Sequence, residues 1–437
     1  MIEFVSLLLG LVIGVQAVEV QVAEPVARVE MVLDGEVVAA AAEPPWSFDV
    51  DLGSELAPHE LAAVARDAVG REIGRAVQFV NLPRPVAEAR WSFENDERGL
   101  PAVALLAWEH LWSRPPQGIE VQLDGEPLAA VAVAAELYRV ELPGYDAGEL
   151  HLLTAELRFP DDGRAHAEAV FGGVYGERVE TELTALPIVY ATRRPPTVLR
   201  LAGSFRRDGR ELEVAAVERS GADVVVVRDE AAQVWLARRV AEQEERMRGF
   251  HLTRSRLHDL LPLGAETRLR FVWPSRVAVA EGSGLRIDPE QFAAPLVHPG
   301  DGPGLAEVLA GLEAPPVPQR VADAVAIAGV VAATGNRPRA VVLAFDPGTP
   351  DSSRHRPDEV RRFLARLHVP LFVWSIGGDA GPEWGEVAPI GGWEGLQQAV
   401  RQVRRTIDSQ AVVWLDGRHP PQAVELAAGE RRWELAR

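Results

Sequence analysis

A chain of 437 residues is too long for one ordinary domain and implies two to four, each able to bury a core. Its formal net charge of −19 disfavours nucleic acid and anionic membrane surfaces, both of which call for a basic face. There is no cysteine, and all 45 basic residues are Arg, which excludes thiol nucleophiles, thiolate zinc sites, disulfides, P-loop lysines and Schiff bases.

Residues 4–15 (FVSLLLGLVIGV) are mostly apolar but too short to span a bilayer, and Val15-Gln16-Ala17 follows as a small-residue cleavage pattern. This reads as a secretory signal peptide over residues 1–17, implying a periplasmic or extracellular protein. The departure is that Glu3 is the only charge before the apolar run, which leaves as alternatives a true start further upstream or a buried strand. The apolar run 321–333 contains Asp323 and reads as a core helix rather than a transmembrane segment.

Short alternating runs fill the first half, and they repeat. VEMVLDGEVV at 29–38 returns as IEVQLDGEPL at 119–128; both lead into Leu-Asp-Gly-Glu, a hairpin signal in which Gly supplies a positive φ. The echo continues between 46–77 and 136–170, with similar strand and turn order. Two antiparallel β-sandwiches are therefore expected, at 18–83 and 86–190, joined by the proline-bearing stretch 81–85. Trp46, Trp91, Trp108 and Trp112 are assigned to their cores. Residues 20–190 resemble the bacterial immunoglobulin-like modules that precede von Willebrand factor type A-like domains in some exported proteins.

From about residue 202 the period changes. Residues 222–227 (ADVVVV) predict a buried strand, 251–261 a helix, 267–273 and 276–280 strands, and 304–313 and 320–333 two helices. Residues 339–378 then form one βαβ unit: 340–345 and 370–376 are apolar runs, and Val360, Phe363, Leu364 and Leu367 make a helix stripe behind Pro357. A helix at 393–407 and a strand at 411–415 close the series, while Val424, Leu426, Trp433 and Leu435 favour further strands. Alternating strands and helices imply a doubly wound α/β domain over 197–437.

With Asp229 and Asp346 each ending a strand, this alternation resembles a von Willebrand factor type A domain, most closely over 339–378. The resemblance implies a metal-ion-dependent adhesion site, built from Asp-x-Ser-x-Ser, a Thr in a later loop and an Asp after the fourth strand, around an ion such as Mg²⁺. Here the first element is Asp229-Glu-Ala-Ala-Gln233, with Ala231 and Gln233 in the Ser positions, and the loop 300–304 (GDGPG) offers no hydroxyl. Asp346 matches the last position but precedes Pro347. The metal assignment is thus Asp229 and Asp346 in a degenerate site, with Glu230 or Asp301 as helpers and Mg²⁺ weakly held. The alternative is that both acids cap helices or loops.

A hydrolase reading starts from Asp351, Ser352, Ser353 and His355, but there is no Gly-x-Ser-x-Gly elbow and closeness in sequence is not triad geometry. An aspartyl phosphate on Asp346 lacks its lysine. His251 and His258 show no metal-ligand spacing, and the acidic run 242–245 among Arg238, Arg239, Arg246 and Arg248 reads as a solvated helix face. The expectation is a non-catalytic exported protein that binds protein or cell-envelope partners through the loops around Asp229, 300–304, 346–356 and 377–392. Metal-dependent adhesion is the alternative.

Overall fold

The computed structural model describes residues 2–437 except 7, 9, 23–25, 83–86, 97, 111–114, 135, 160–163, 174–182, 191–194, 249–262, 265, 275–277, 282–283, 288–296, 312–318, 335, 378–380, 418 and 428–431. The chain divides into two units, one of Met1–Pro83, Ser220–Ser409 and Ala436–Arg437, the other of Arg84–Arg219 and Gln410–Leu435. The expected helix at 251–261, with His251 and His258, lies outside the described residues, as does Trp112. Among the described residues no helix is long and apolar enough to cross a membrane.

The first unit opens with an antiparallel sandwich of seven strands: β1 (Ile2–Phe4), β2 (Val15–Val22), β3 (Arg28–Leu33), β4 (Glu36–Ala41), β5 (Ser47–Asp51), β6 (His59–Arg66) and β7 (Glu72–Val80). They form sheets of order β1-β2-β5 and β4-β3-β6-β7. Alternation decides which side chains enter: Phe48 and Val50 of β5 are buried while Ser47, Asp49 and Asp51 face water. The stretch expected to be a leader belongs to this sandwich. Ile2 pairs with Val22 and Phe4 with Val20, and Ile2 and Leu8 join the core. In the structure Ile2 finds an apolar partner surface inside the sandwich, and a cut after Ala17 would divide β2.

The second unit repeats the design with β8 (Ala87–Asn95), β9 (Pro101–His110), β10 (Gly118–Leu123), β11 (Glu126–Leu128), β12 (Ala130–Ala134), β13 (Leu137–Glu141), β14 (Leu150–Arg158) and β15 (Arg164–Gly172). Its sheets run β12-β13-β9-β8 and β11-β10-β14-β15. Trp91 and Trp108 are buried in its core as expected, and Trp91 Nε1 donates to the Ala167 carbonyl at 3.0 Å. Both Leu-Asp-Gly-Glu turns are hairpins with positive φ at two residues, 51° and 92° at Asp34 and Gly35, 54° and 86° at Asp124 and Gly125. Each Asp then grips a His across the sheet: His59 Nδ1 lies 2.7 Å from Asp34 Oδ2, and His151 Nδ1 lies 2.7 Å from Asp124 Oδ2. The neighbouring Glu60 and Leu152 N–H groups donate to the other carboxylate oxygen at 2.9 and 2.8 Å.

A third β-module completes the second unit. β16 (Leu183–Tyr190), β17 (Phe205–Arg207), β18 (Arg210–Glu211) and β19 (Val214–Glu218) precede the α/β region, whose strands are β20 (Asp223–Arg228), β21 (Arg268–Val272), β22 (Ala278–Glu281), β23 (Gly284–Ile287), β24 (His298–Pro299), β25 (Arg339–Phe345), β26 (Leu371–Ser375) and β27 (Val387–Pro389). β28 (Gln410–Asp416), β29 (Glu425–Leu426) and β30 (Trp433–Leu435) follow it. β28 lies between β19 and β16, antiparallel to both, and β30 adds to β16. The expectation that 411–415 closes the α/β sheet is thus corrected, and with it the span 197–437. The α/β region is an insertion whose two ends meet where Glu218 pairs with Val412. Likewise 183–190 belongs to this module and not to the second sandwich.

Within the first unit, the inserted region has a six-stranded mixed sheet of order β24-β21-β20-β25-β26-β27, parallel except for the edge strand β24. Among the described residues the main helices are α1 (Glu230–Arg248), α2 (Val321–Ala333), α3 (Pro357–Arg366) and α4 (Trp393–Asp408). Both faces are covered, as continuous apolar strands require. Val224, Val226, Ala340 and Val342 pack with Leu236 of α1 and with Leu396, Val400 and Val403 of α4. Val225, Val227, Val341 and Leu343 pack with α2 and with Val360, Phe363 and Leu364 of α3. Leu56, from the loop between β5 and β6, also enters this second core, and Arg366 holds it by donating to the Leu56 carbonyl at 3.3 Å and pairing with Glu55 at 2.7 Å.

Candidate functional site

The chain leaves β20 toward β21 on one side and returns to β25 on the other, so the carboxyl ends of β20 and β25 flank the topological switch point of the sheet. Asp229 and Asp346 are the residues immediately after these strands, and the structure brings them together. Asp229 has no exposed surface. Its Oδ1 accepts the Ala232 N–H at 2.7 Å, capping α1, and its Oδ2 accepts the Asp346 N–H at 2.9 Å, tying the two strand ends. Asp346 is half-buried, and its Oδ1 accepts the Gly348 N–H at 2.9 Å within its own turn.

Mg²⁺ asks for about six oxygen ligands in near-octahedral order, and this donor set does not fit one. Both Asp229 oxygens already receive backbone N–H groups, which present protons where a cation would sit. Burial raises the Asp229 carboxyl above its ordinary range; the Ala232 and Asp346 N–H groups and Thr349 pull it down, and the Asp346 charge adds to the rise. A carboxyl whose ionisation is disfavoured is a poor anchor for a hard cation. Among the described residues, no group of three or more His, Cys, Asp or Glu side chains is arranged for a metal ion.

The polar loop 351–356 is a reciprocal cap rather than a triad. Asp351 accepts the Val321 and Ala322 N–H groups at 2.9 and 3.2 Å, and Ser353 Oγ accepts that of Asp323 at 3.1 Å, so the loop satisfies the open N-terminus of α2. In return the Asp323 carboxylate, 1% exposed, accepts the Arg354 and His355 N–H groups at 3.1 Å and Arg320 Nε at 2.7 Å. Ser353 Oγ donates to Asp351 Oδ1 at 2.6 Å, and the His355 ring faces Glu359 at 4.0 Å. The hydroxyl that a hydrolase would activate is engaged by a carboxylate that is itself capping a helix.

The glycine-rich loop 300–304 answers to packing. A Cβ on Gly304 would lie 2.0 Å from the Pro299 carbonyl oxygen, and one on Gly300 2.5 Å from the Thr267 Cβ, so only glycine permits these approaches. Asp301 Oδ1 caps the helical segment Gly302–Ala306 through the Gly304 N–H at 2.8 Å. Two residues with larger roles were not singled out from sequence. Asp323 stood out only as the lone acid in an apolar run. Arg228, 1% exposed, donates from Nε to the Val308 carbonyl at 2.8 Å with its guanidinium 4.7 Å from the Phe271 ring. Burial lowers it to about 10 against the opposing charge of Glu307. Nothing local in ADVVVVRDE announces that this Arg turns inward. Across the remaining loop, Trp384 is buried against Phe345 with ring centroids 5.9 Å apart, and Arg361 donates to the Glu383 carbonyl at 3.3 Å.

No protein-family model matches the chain, and no curated protein matches it. Solved structures similar to it include the fibronectin(III)-like modules of CbhA from Clostridium thermocellum, 14% identical, covering 39% of this chain and 93% of that one, with a TM-score of 0.17. The central fibronectin-III array of RIM-binding protein is 11% identical, with coverages of 45% and 80% and a TM-score of 0.22. A bacterial ice-binding adhesin is 11% identical, with coverages of 45% and 74% and a TM-score of 0.16. The sandwich architecture itself stands on the chain's own strand pairing.

Proposed function

We propose that this chain is a non-catalytic binding protein that takes protein or cell-envelope partners on the loops at the carboxyl edge of its mixed sheet, without a metal ion. The observation that carries the reading is the reciprocal cap: Asp351, Ser353 and Asp323 are all engaged in holding the loop 351–356 to α2. Acids and hydroxyls used in this way build a rigid platform, on which Ser352 and Arg354 stand exposed. The doubly wound sheet, with an Asp after each of two adjacent parallel strands, supports a divergent von Willebrand factor type A-like domain as the platform. The committed Asp229 oxygens support a recognition mode that dispenses with the ion.

The test is co-sedimentation of the full chain with envelope fractions of the cell that makes it, with and without EDTA, beside Arg354→Glu and Ser352→Trp. Saturable binding that ignores EDTA and weakens about tenfold or more in the loop variants is expected, as for a residue central to an interface. Binding abolished by EDTA, binding indifferent to both substitutions, or no saturable binding would each refute the proposal.

A further inference from the structure

Among the described residues β12 is an edge strand, with β13 as its one neighbour in the sheet. Its five residues read Ala-Val-Ala-Val-Ala, and four of them are exposed, Val131 by 61% and Val133 by 52%. Edge strands present unpaired N–H and C=O groups and are commonly guarded by charges or proline. In a chain that is 25% charged, β12 carries neither guard. A register irregularity between Ala132 and Ala134 is the one protective feature, and it leaves both valines outside.

We propose that β12 is a self-association edge whose occupant is β12 of a second copy of this chain, antiparallel about a two-fold axis through Ala132. Its sequence is a palindrome, so that arrangement sets Val131 opposite Val133 of the second copy and Ala130 opposite Ala134. A two-fold interface requires this kind of self-complementarity. Beside Val131 in the sheet stands Arg139, whose charge is met by Glu94 at 3.0 Å and Glu141 at 2.9 Å. The joined edges place a valine quartet at the centre and satisfied ion pairs at the rim, the anatomy of a protein interface. Two four-stranded sheets become one continuous sheet. So short an edge buries less than a standard interface, so the dimer is weak and reversible.

Sedimentation velocity on the full chain, from about 1 µM to about 1 mM, spans the affinities such an edge supplies. The wild type is expected to pass from monomer to dimer and stop there. Val131→Glu/Val133→Glu is expected to remain monomeric with an unchanged melting curve, and Val37→Glu/Val38→Glu, on the exposed edge strand β4 of the first sandwich, to dimerise as the wild type does. Because the chain has no cysteine, Ala132→Cys gives a second readout: the residue on the axis should form a covalent dimer on mild oxidation, faster than Val37→Cys. A monomeric wild type throughout, a dimer that survives the β12 charges, a dimer lost only with the β4 variant, or growth past the dimer without a plateau would overturn the proposal.

Discussion

Replacing Asp229 with alanine separates a capping role from a metal-binding one. The carboxylate has no exposed surface and holds two backbone N–H groups, at 2.7 and 2.9 Å. Losing the cap of α1 costs about 1 kcal/mol, and leaving the Asp346 N–H without its acceptor costs about 1 to 2 kcal/mol more. Removing a carboxyl whose ionisation burial disfavours returns part of this, so the net loss is about 2 kcal/mol. A melt of the whole chain mixes several domains, whereas hydrogen exchange in peptides spanning 223–236 and 340–350 reads the two amides directly. Their exchange should quicken roughly 30-fold in Asp229→Ala, and millimolar Mg²⁺ or EDTA should change neither protein. Unaltered exchange would refute the capping argument. Slowing by Mg²⁺ in the wild type alone would refute the metal-independent reading.

Asp323→Ala breaks a buried ion pair with Arg320 and frees the Arg354 and His355 amides, at about 3 kcal/mol or more; limited proteolysis should then cut within 351–356, which resists in the wild type. Leu56→Ala empties a site 2% exposed in the second core of the mixed sheet and should cost about 2 to 4 kcal/mol, read as lost exchange protection in α3. For His151, burial alone would lower the imidazole, but the hydrogen bond and charge of Asp124, the Asp146 carbonyl and Glu149 outweigh it and leave it raised. A raised folded value means stabilisation that is complete below an ordinary histidine value of about 6.5 and is lost as pH rises through the folded value. Melting curves against pH should show that loss in the wild type and a flattened profile in Asp124→Asn; equal profiles would contradict the pairing.

Local pattern carried most of the elements. The Val360, Phe363, Leu364 stripe made a helix beneath the sheet, 340–345 made a strand buried along its whole length, and the repeated Leu-Asp-Gly-Glu made two hairpins. The repeat reached further than its turns, since His59 and His151 occupy matching places in the two copies and meet Asp34 and Asp124. The pairing of Asp229 with Asp346 was legible as two acids ending parallel strands, but their commitment to backbone N–H groups was not. That depends on which way each carboxylate turns once α1 and β25 are in place.

Composition and periodicity by themselves determined that this chain has β-sandwiches followed by strands alternating with helices, because side-chain alternation and turn chemistry act over a few residues. Tertiary structure alone decided where β1 and β28 belong. Residues 2–4 set Glu3 between two apolar residues, 411–415 are as apolar as any central parallel strand, and a strand does not encode its neighbour. Ile2 pairs with Val22 and enters the core of the first sandwich while Glu3 faces water, and Val413 lies between Leu186 and Val217 in a strand buried on both faces. That choice is made among segments more than two hundred residues apart, by the core as a whole.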